Sequence, residues 1–156
     1  KEKTELNGKK VVVLGSGGST RAIVYGLKQE CADITILNRT TKKAKDLATY
    51  FNCCYGSLAD LNNIDYDILI NTTSVGMYPN QKSSPVAPNL IKKGSVVFDI
   101  VFNPYKTKLL NDAEKRGCLI IPGFDMLIKG AALQFKLWTG KQPKTFLIKS
   151  LMKKDD

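Results

Sequence analysis

Apolar residues recur along this chain in two rhythms, short strand-like runs and longer stretches with helical spacing, and the two alternate. Lys10 to Leu14 carries Val11-Val12-Val13-Leu14 and predicts a buried strand. A glycine turn follows, then a helix from about Ser19 to Gln29. Asp33 to Asn38 sets Ile34 and Ile36 between polar neighbours and predicts a second strand. Thr40 or Thr41 is placed to cap a helix over Lys42 to Phe51, with Ala44, Leu47, Ala48 and Phe51 on one face.

The alternation continues to the other end of the chain. Tyr66 to Asn71 and Ser95 to Asp99 predict two more strands. The stretch between them from Tyr78 to Pro88 holds three prolines, Asn80 and two serines, which is loop chemistry. A helix from about Thr107 to Arg116 would end at Gly117, Cys118 to Ile121 is a short apolar strand, and Pro122-Gly123 opens a last helix that Gly140 stops near Thr139. Strands separated by helices predict a Rossmann-type α/β fold: a doubly wound, mainly parallel sheet with helices on both faces. No internal repeat or low-complexity segment interrupts residues 1–156, so one domain is expected.

Composition narrows the class. The 156 residues are 43% apolar and 24% charged, the mix of a soluble globular protein. No apolar run approaches the ~20 residues of a membrane span. Residues Lys1 to Lys10 are polar, without a signal peptide's apolar stretch, and the chain opens without Met, as an excised piece of a longer polypeptide would. The four cysteines, Cys31, Cys53, Cys54 and Cys118, lack the C-x-x-C spacing of a zinc site. Their apolar or strand-like neighbours predict buried free thiols in a reducing, cytoplasmic setting. There is no histidine, so the usual general base and the usual transition-metal ligand are both missing.

The net charge of +10 points to an anionic partner, but the 24 basic residues are scattered and no aromatics interleave with them. Neither nucleic acid nor a membrane is expected as a partner. A small phosphate-bearing ligand needs only two or three of these charges.

The glycine turn supplies that ligand's site. In VVVLGSGGSTRA a buried strand runs into Gly15-Ser16-Gly17-Gly18 and then directly into a helix. Gly15 permits the tight turn, and Gly17 leaves bare backbone for a pyrophosphate. The first helical N–H groups, near Gly18 and Ser19, point at the ligand with the helix dipole behind them. This context, strand before and helix after, predicts a dinucleotide site.

The end of the second strand selects the dinucleotide. NAD sites usually place Asp or Glu there for the ribose hydroxyls. Here the strand ends in Asn38-Arg39-Thr40, with Lys43 one turn into the helix and no carboxylate to repel a 2′-phosphate. Arg39 offers a planar fork for adenine and phosphate. Cations at a helix N-terminus oppose the dipole unless an anion sits among them, so NADP is the expected cofactor.

Five blocks in order over nearly the whole chain resemble the shikimate and quinate dehydrogenase family: GSGGSTRA, NRTTKKA, INTTSVGM, DIVFNPYKTKLL and PGFDMLIKGAALQFKLWTG. The Gln134-Phe135 pair resembles the branch fused into multifunctional enzymes of the shikimate pathway. The resemblance implies a two-domain enzyme that reduces 3-dehydroshikimate to shikimate with NADPH, in aromatic amino acid and chorismate biosynthesis. It implies a catalytic Lys and Asp pair in an N-terminal domain, so that no catalytic residue is expected here, and a homodimer is possible through the full-length enzyme. It also implies cofactor contacts from Gly15, Ser16, Gly17, Gly18 and Ser19, from Asn38, Arg39, Thr40 and Lys43, and from Thr72, Thr73 and Ser74. Val101, Gly123 and Met126 would surround the nicotinamide, although Met126 and Leu127 suit a plain core equally well.

Two positions depart from the family pattern. Phe102 stands where the family usually has Tyr, and Gly130 where its last helix usually presents Gln to substrate. Each missing hydrogen bond is worth ~0.5–1.5 kcal/mol net, so the pair would weaken binding ten- to a hundredfold. A quinate-type substrate, or a nucleotide-binding module without turnover, remains an alternative on this ground.

Overall fold

A computed structural model describes residues 5–145. Ten regular elements follow one another: β1 (Lys10–Leu14), α1 (Gly18–Gln29), β2 (Asp33–Leu37), α2 (Thr41–Phe51), β3 (Cys54–Gly56), β4 (Ile68–Asn71), β5 (Val96–Asp99), α3 (Lys108–Lys115), β6 (Leu119–Pro122) and α4 (Gly123–Thr139). The six strands form one sheet in the order β3-β2-β1-β4-β5-β6, with every pair parallel. The chain winds outward one way from β1, then returns to β4 and winds the other way. This is the doubly wound order with its switch point between β1 and β4.

The pleat of β1 divides the core. Val12 and Leu14 face one side with Leu69, Val97, Leu109, Leu110 and Ala113, which packs α3 on that face. Val11 and Val13 face the other with Ile34, Ile36, Val24, Leu27 and Leu47, which packs α1 and α2 there. A strand buried on both faces must be apolar throughout, which is why β1 reads as an unbroken run.

The expected helices and long strands all form, with ends shifted by a residue or two. The segment between α2 and β4 adds what periodicity did not signal: the three-residue edge strand β3 and a 3₁₀ stretch at Leu58–Asn63. A second 3₁₀ turn, Pro88–Leu90, closes the proline-rich loop. The cysteines require a correction. All four are free and Cys118 is buried, but Cys31 and Cys54 are exposed and Cys53 is half-buried. Cys31 sits at a positive-φ residue after α1, and Cys54 lies on the edge strand, where one flank has no neighbour. Met126 and Leu127 are exposed on α4, which buries only Gly123, Phe124 and Ile128.

Among the described residues no helix is long and apolar enough to cross a membrane, and no group of three or more His, Cys, Asp or Glu is placed to hold a metal.

Candidate functional site

In a parallel sheet the loops leaving the strands' C-terminal ends share one edge, and a crevice opens where the winding reverses. The β1–α1 turn and the β4 exit flank that crevice here.

Gly15 bends the chain out of β1 at φ +116°, and a Cβ on it would lie 2.5 Å from the Thr72 hydroxyl of the β4 exit. Both facts demand glycine. Gly17 and Gly18 are exposed, and a Cβ on either would meet nothing within 4 Å, so their backbone is bare to solvent. Gly17 is the N-cap of α1 and Gly18 and Ser19 are its first residues, with no acidic residue in the first turn. The Gly18 and Ser19 N–H groups have no acceptor within the helix by position, and the helix dipole adds positive potential there. Ser16 is half-buried and Ser19 exposed.

At the end of β2, Asn38 donates from its side-chain amide to the Thr40 carbonyl at 3.0 Å. Thr40 is the N-cap of α2 but its hydroxyl makes no capping bond. The first turn is Thr41-Lys42-Lys43, again without a carboxylate, and Arg39, Thr40 and Lys43 are all exposed. An uncapped helix start surrounded by cations is electrostatically unfavourable alone and suits an anion.

The β4 and β5 exits are organised differently. Asp99 ends β5 fully buried and accepts three hydrogen bonds: Asn71 Nδ2 at 2.9 Å, the Val101 N–H at 3.0 Å and Thr107 Oγ1 at 2.7 Å. Burial pushes the Asp99 carboxyl up, and the bonds from Thr107, Val101 and Asn71 oppose the shift. Asn71 Oδ1 in turn accepts from the Thr73 N–H (3.0 Å) and the Thr73 hydroxyl (2.7 Å). Thr107 caps α3 by accepting from Leu110 N–H.

The predicted site residues divide accordingly. Thr72 is buried and Thr73 half-buried, with both hydroxyls bonded within the protein, while Ser74 is exposed. Val101 is buried behind the Asp99 turn. Gly123 starts α4 so close to β5 that a Cβ would collide with the Ile100 carbonyl. Met126 is 41% exposed and Phe102 49%. Gly130 is half-buried with open space where a Cβ would go, so a longer side chain would fit there. Thr20, Asn71, Asp99 and Thr107 were not among the predicted site residues. Their one signal was polar character at a strand end or helix start beside apolar runs.

A family model described as shikimate / quinate 5-dehydrogenase matches residues 1–104. The chain belongs to that family. A shikimate dehydrogenase (NADP(+)) of Pyrococcus abyssi is 47% identical over 148 residues, covering 94% of this chain and 54% of its own length. One of Shouchella clausii is 41% identical over 143 residues, with 88% and 52% covered. Among solved structures, a shikimate 5-dehydrogenase of Thermus thermophilus in complex with NADP(H) and shikimate superposes with a TM-score of 0.81 at 31% identity, covering 90% of this chain and 52% of that one. The chain thus spans about half the length of the curated relatives it matches.

Proposed function

We propose that this chain is the NADP-binding domain of a shikimate dehydrogenase, an oxidoreductase whose full polypeptide reduces 3-dehydroshikimate to shikimate with NADPH. The observation that carries the reading is the pair of carboxylate-free helix starts at the β1 and β2 exits. One is bare glycine backbone, and the other is ringed by Arg39, Lys42 and Lys43. The family membership and the relatives named as NADP(+) enzymes support the same cofactor.

The residues present fit a dinucleotide. Gly18 and Ser19 N–H groups would hold the pyrophosphate, and Arg39, Thr40 and Lys43 the 2′-phosphate. Ser74, Val101 and Met126 would flank the nicotinamide ring, which when bound supplies the hydride. The chain's own part is to bind, orient and exclude water. The buried carboxylates among the described residues are Asp99, held by three donors, and Asp112, which accepts from Lys108 at 2.8 Å, so both are structurally committed. Proton transfer would fall to a Lys and Asp pair in a substrate-holding domain of the full polypeptide, with a cytoplasmic setting and a homodimer through that polypeptide part of the same proposal. A quinate-type substrate is the second reading, favoured by Phe102, whose exposed ring brings no hydroxyl, and by the empty space at Gly130.

Calorimetric titration with NADPH and NADH tests the cofactor assignment. NADPH should bind the tighter by roughly ten- to a hundredfold, the worth of hydrogen bonds to a charged group, and Arg39→Ala should erase the difference. Equal binding of the two nucleotides by the unmodified chain would overturn it.

A further inference from the structure

Two buried threonines join the lips of the crevice. Thr20, in the first turn of α1, is 0% exposed, and Thr72, at the β4 exit, is 9% exposed. Their hydroxyl oxygens lie 2.7 Å apart, across 52 residues of sequence. The surrounding partners force the direction of every bond. The Gly17 N–H can only donate, and it reaches Thr20 Oγ1 at 3.0 Å. The Leu14 carbonyl can only accept, and it takes the Thr72 hydroxyl proton at 2.7 Å. Thr72 has therefore spent its one proton on Leu14, and the proton between the threonines must be that of Thr20. A single directed chain results: Gly17 N–H to Thr20, Thr20 to Thr72, Thr72 to the Leu14 carbonyl.

The chain begins and ends on the same turn. Leu14 and Gly17 bracket the bend at Gly15, where a Cβ would lie only 2.5 Å from Thr72 Oγ1. The turn is thus clamped from behind by a hydroxyl belonging to the other lip. Neither hydroxyl nor the Gly17 N–H has a proton left for a ligand, and the free donors are passed along to Gly18 and Ser19.

Building on the dinucleotide reading, we propose that Thr20 and Thr72 are positioning residues for the cofactor: their hydroxyl chain fixes the glycine turn so that the Gly18 and Ser19 amides converge on the pyrophosphate. The relay touches no part of the ligand and acts through the shape of the turn. It selects for pyrophosphate contact and is indifferent to the adenosine 2′-phosphate, which is held at α2.

The test uses Thr20→Val and Thr72→Val, which keep the shape and remove the hydroxyl, with Thr20→Ser and Thr72→Ser as conservative partners. Each is titrated with NADPH and with 2′-AMP, a probe for the α2 end alone. NADPH binding should weaken roughly tenfold in each valine variant, the effect of one lost hydrogen bond, recover in the serine variants, and leave 2′-AMP unchanged. Amide hydrogen exchange on the unmodified chain gives a second readout that needs no variant to fold: Gly17 should be protected while Gly18 and Ser19 exchange freely. No NADPH binding by the unmodified chain would remove the dinucleotide reading and this proposal with it. NADPH binding by the unmodified chain that is unchanged in both valine variants, or an unprotected Gly17, would overturn the relay alone. Equal weakening of NADPH and 2′-AMP would also overturn it, by showing general loosening of the fold.

Discussion

The two lips of the crevice solve opposite problems. At the β1 exit the chain leaves the Gly18 and Ser19 N–H groups without an acceptor inside the helix, and glycines keep the approach to them clear: nothing would meet a Cβ on Gly17 or Gly18, and Gly15 lets Thr72 brace the bend from behind. At the β4 and β5 exits a carboxylate is buried outright, and the chain surrounds it with three donors, Asn71 Nδ2 and the Val101 N–H on one oxygen and the Thr107 hydroxyl on the other. One lip is proposed to receive a ligand's charge, and the other encloses a carboxyl group that ties the β4 exit to the connection between β5 and α3. The difference teaches that polar residues around a crevice are not all ligand contacts. A hydroxyl or carboxylate bonded within the protein holds the site's shape, and a backbone N–H without a partner is the group left able to meet a ligand.

Breaking the enclosed lip should cost the most. Asp99→Ala strands three donors in a buried place, and each unsatisfied group costs about 1–3 kcal/mol, so urea denaturation should show about 3–4 kcal/mol lost. A loss near zero would mean that water replaces the carboxylate without penalty.

The glycine lip should give a smaller and split result. Gly15→Ala meets both a positive φ and the Thr72 hydroxyl, and should destabilise by about 2–3 kcal/mol. Gly17→Ala meets neither, and as a Gly-to-Ala change at a helix N-cap it should cost no more than about 1 kcal/mol. Yet it places a methyl where the pyrophosphate is proposed to approach, so NADPH affinity should fall while the fold stands. Equal destabilisation by the two alanines would erase the distinction drawn between a bracing and a receiving glycine.

The smallest effect is in pH dependence. The folded-state value of Asp99 is raised, so between the ordinary carboxylate range and that raised value the folded chain binds a proton that the unfolded chain has lost. Stability from this group is full at pH below the unfolded value and is lost as pH rises through the folded one. Asp99→Asn cannot titrate and should flatten that part of the stability profile. A profile with the same slope in both proteins would show that the carboxylate is not the group responsible.

How far the sequence could be read follows from the range of each interaction. The β1 run, the Gly15–Gly18 turn, the cation-bearing start of α2 and the stop at Gly140 are local, each set by a few adjacent residues, and each stands where it was expected. β3 escaped notice because three residues at a sheet edge carry no period. The exposure of Cys31 and Cys54 escaped because it depends on which flank of the sheet lacks a neighbour. Thr72 drew attention as a member of a family block, but nothing local distinguishes a hydroxyl that faces a ligand from one that braces Gly15.

By itself the sequence determined the alternation of strands and helices, hence the doubly wound class, and the two carboxylate-free helix starts at which an anion is proposed to bind. Periodicity, glycine and helix-start chemistry are properties of neighbouring residues, and proximity along the chain is enough to specify them. Only the tertiary structure decided which polar groups meet: Thr20 with Thr72 across 52 residues, and Asn71 with Asp99 across 28. Those pairings arise because parallel strands bring distant chain segments to a common sheet edge, where a buried proton donor must find an acceptor.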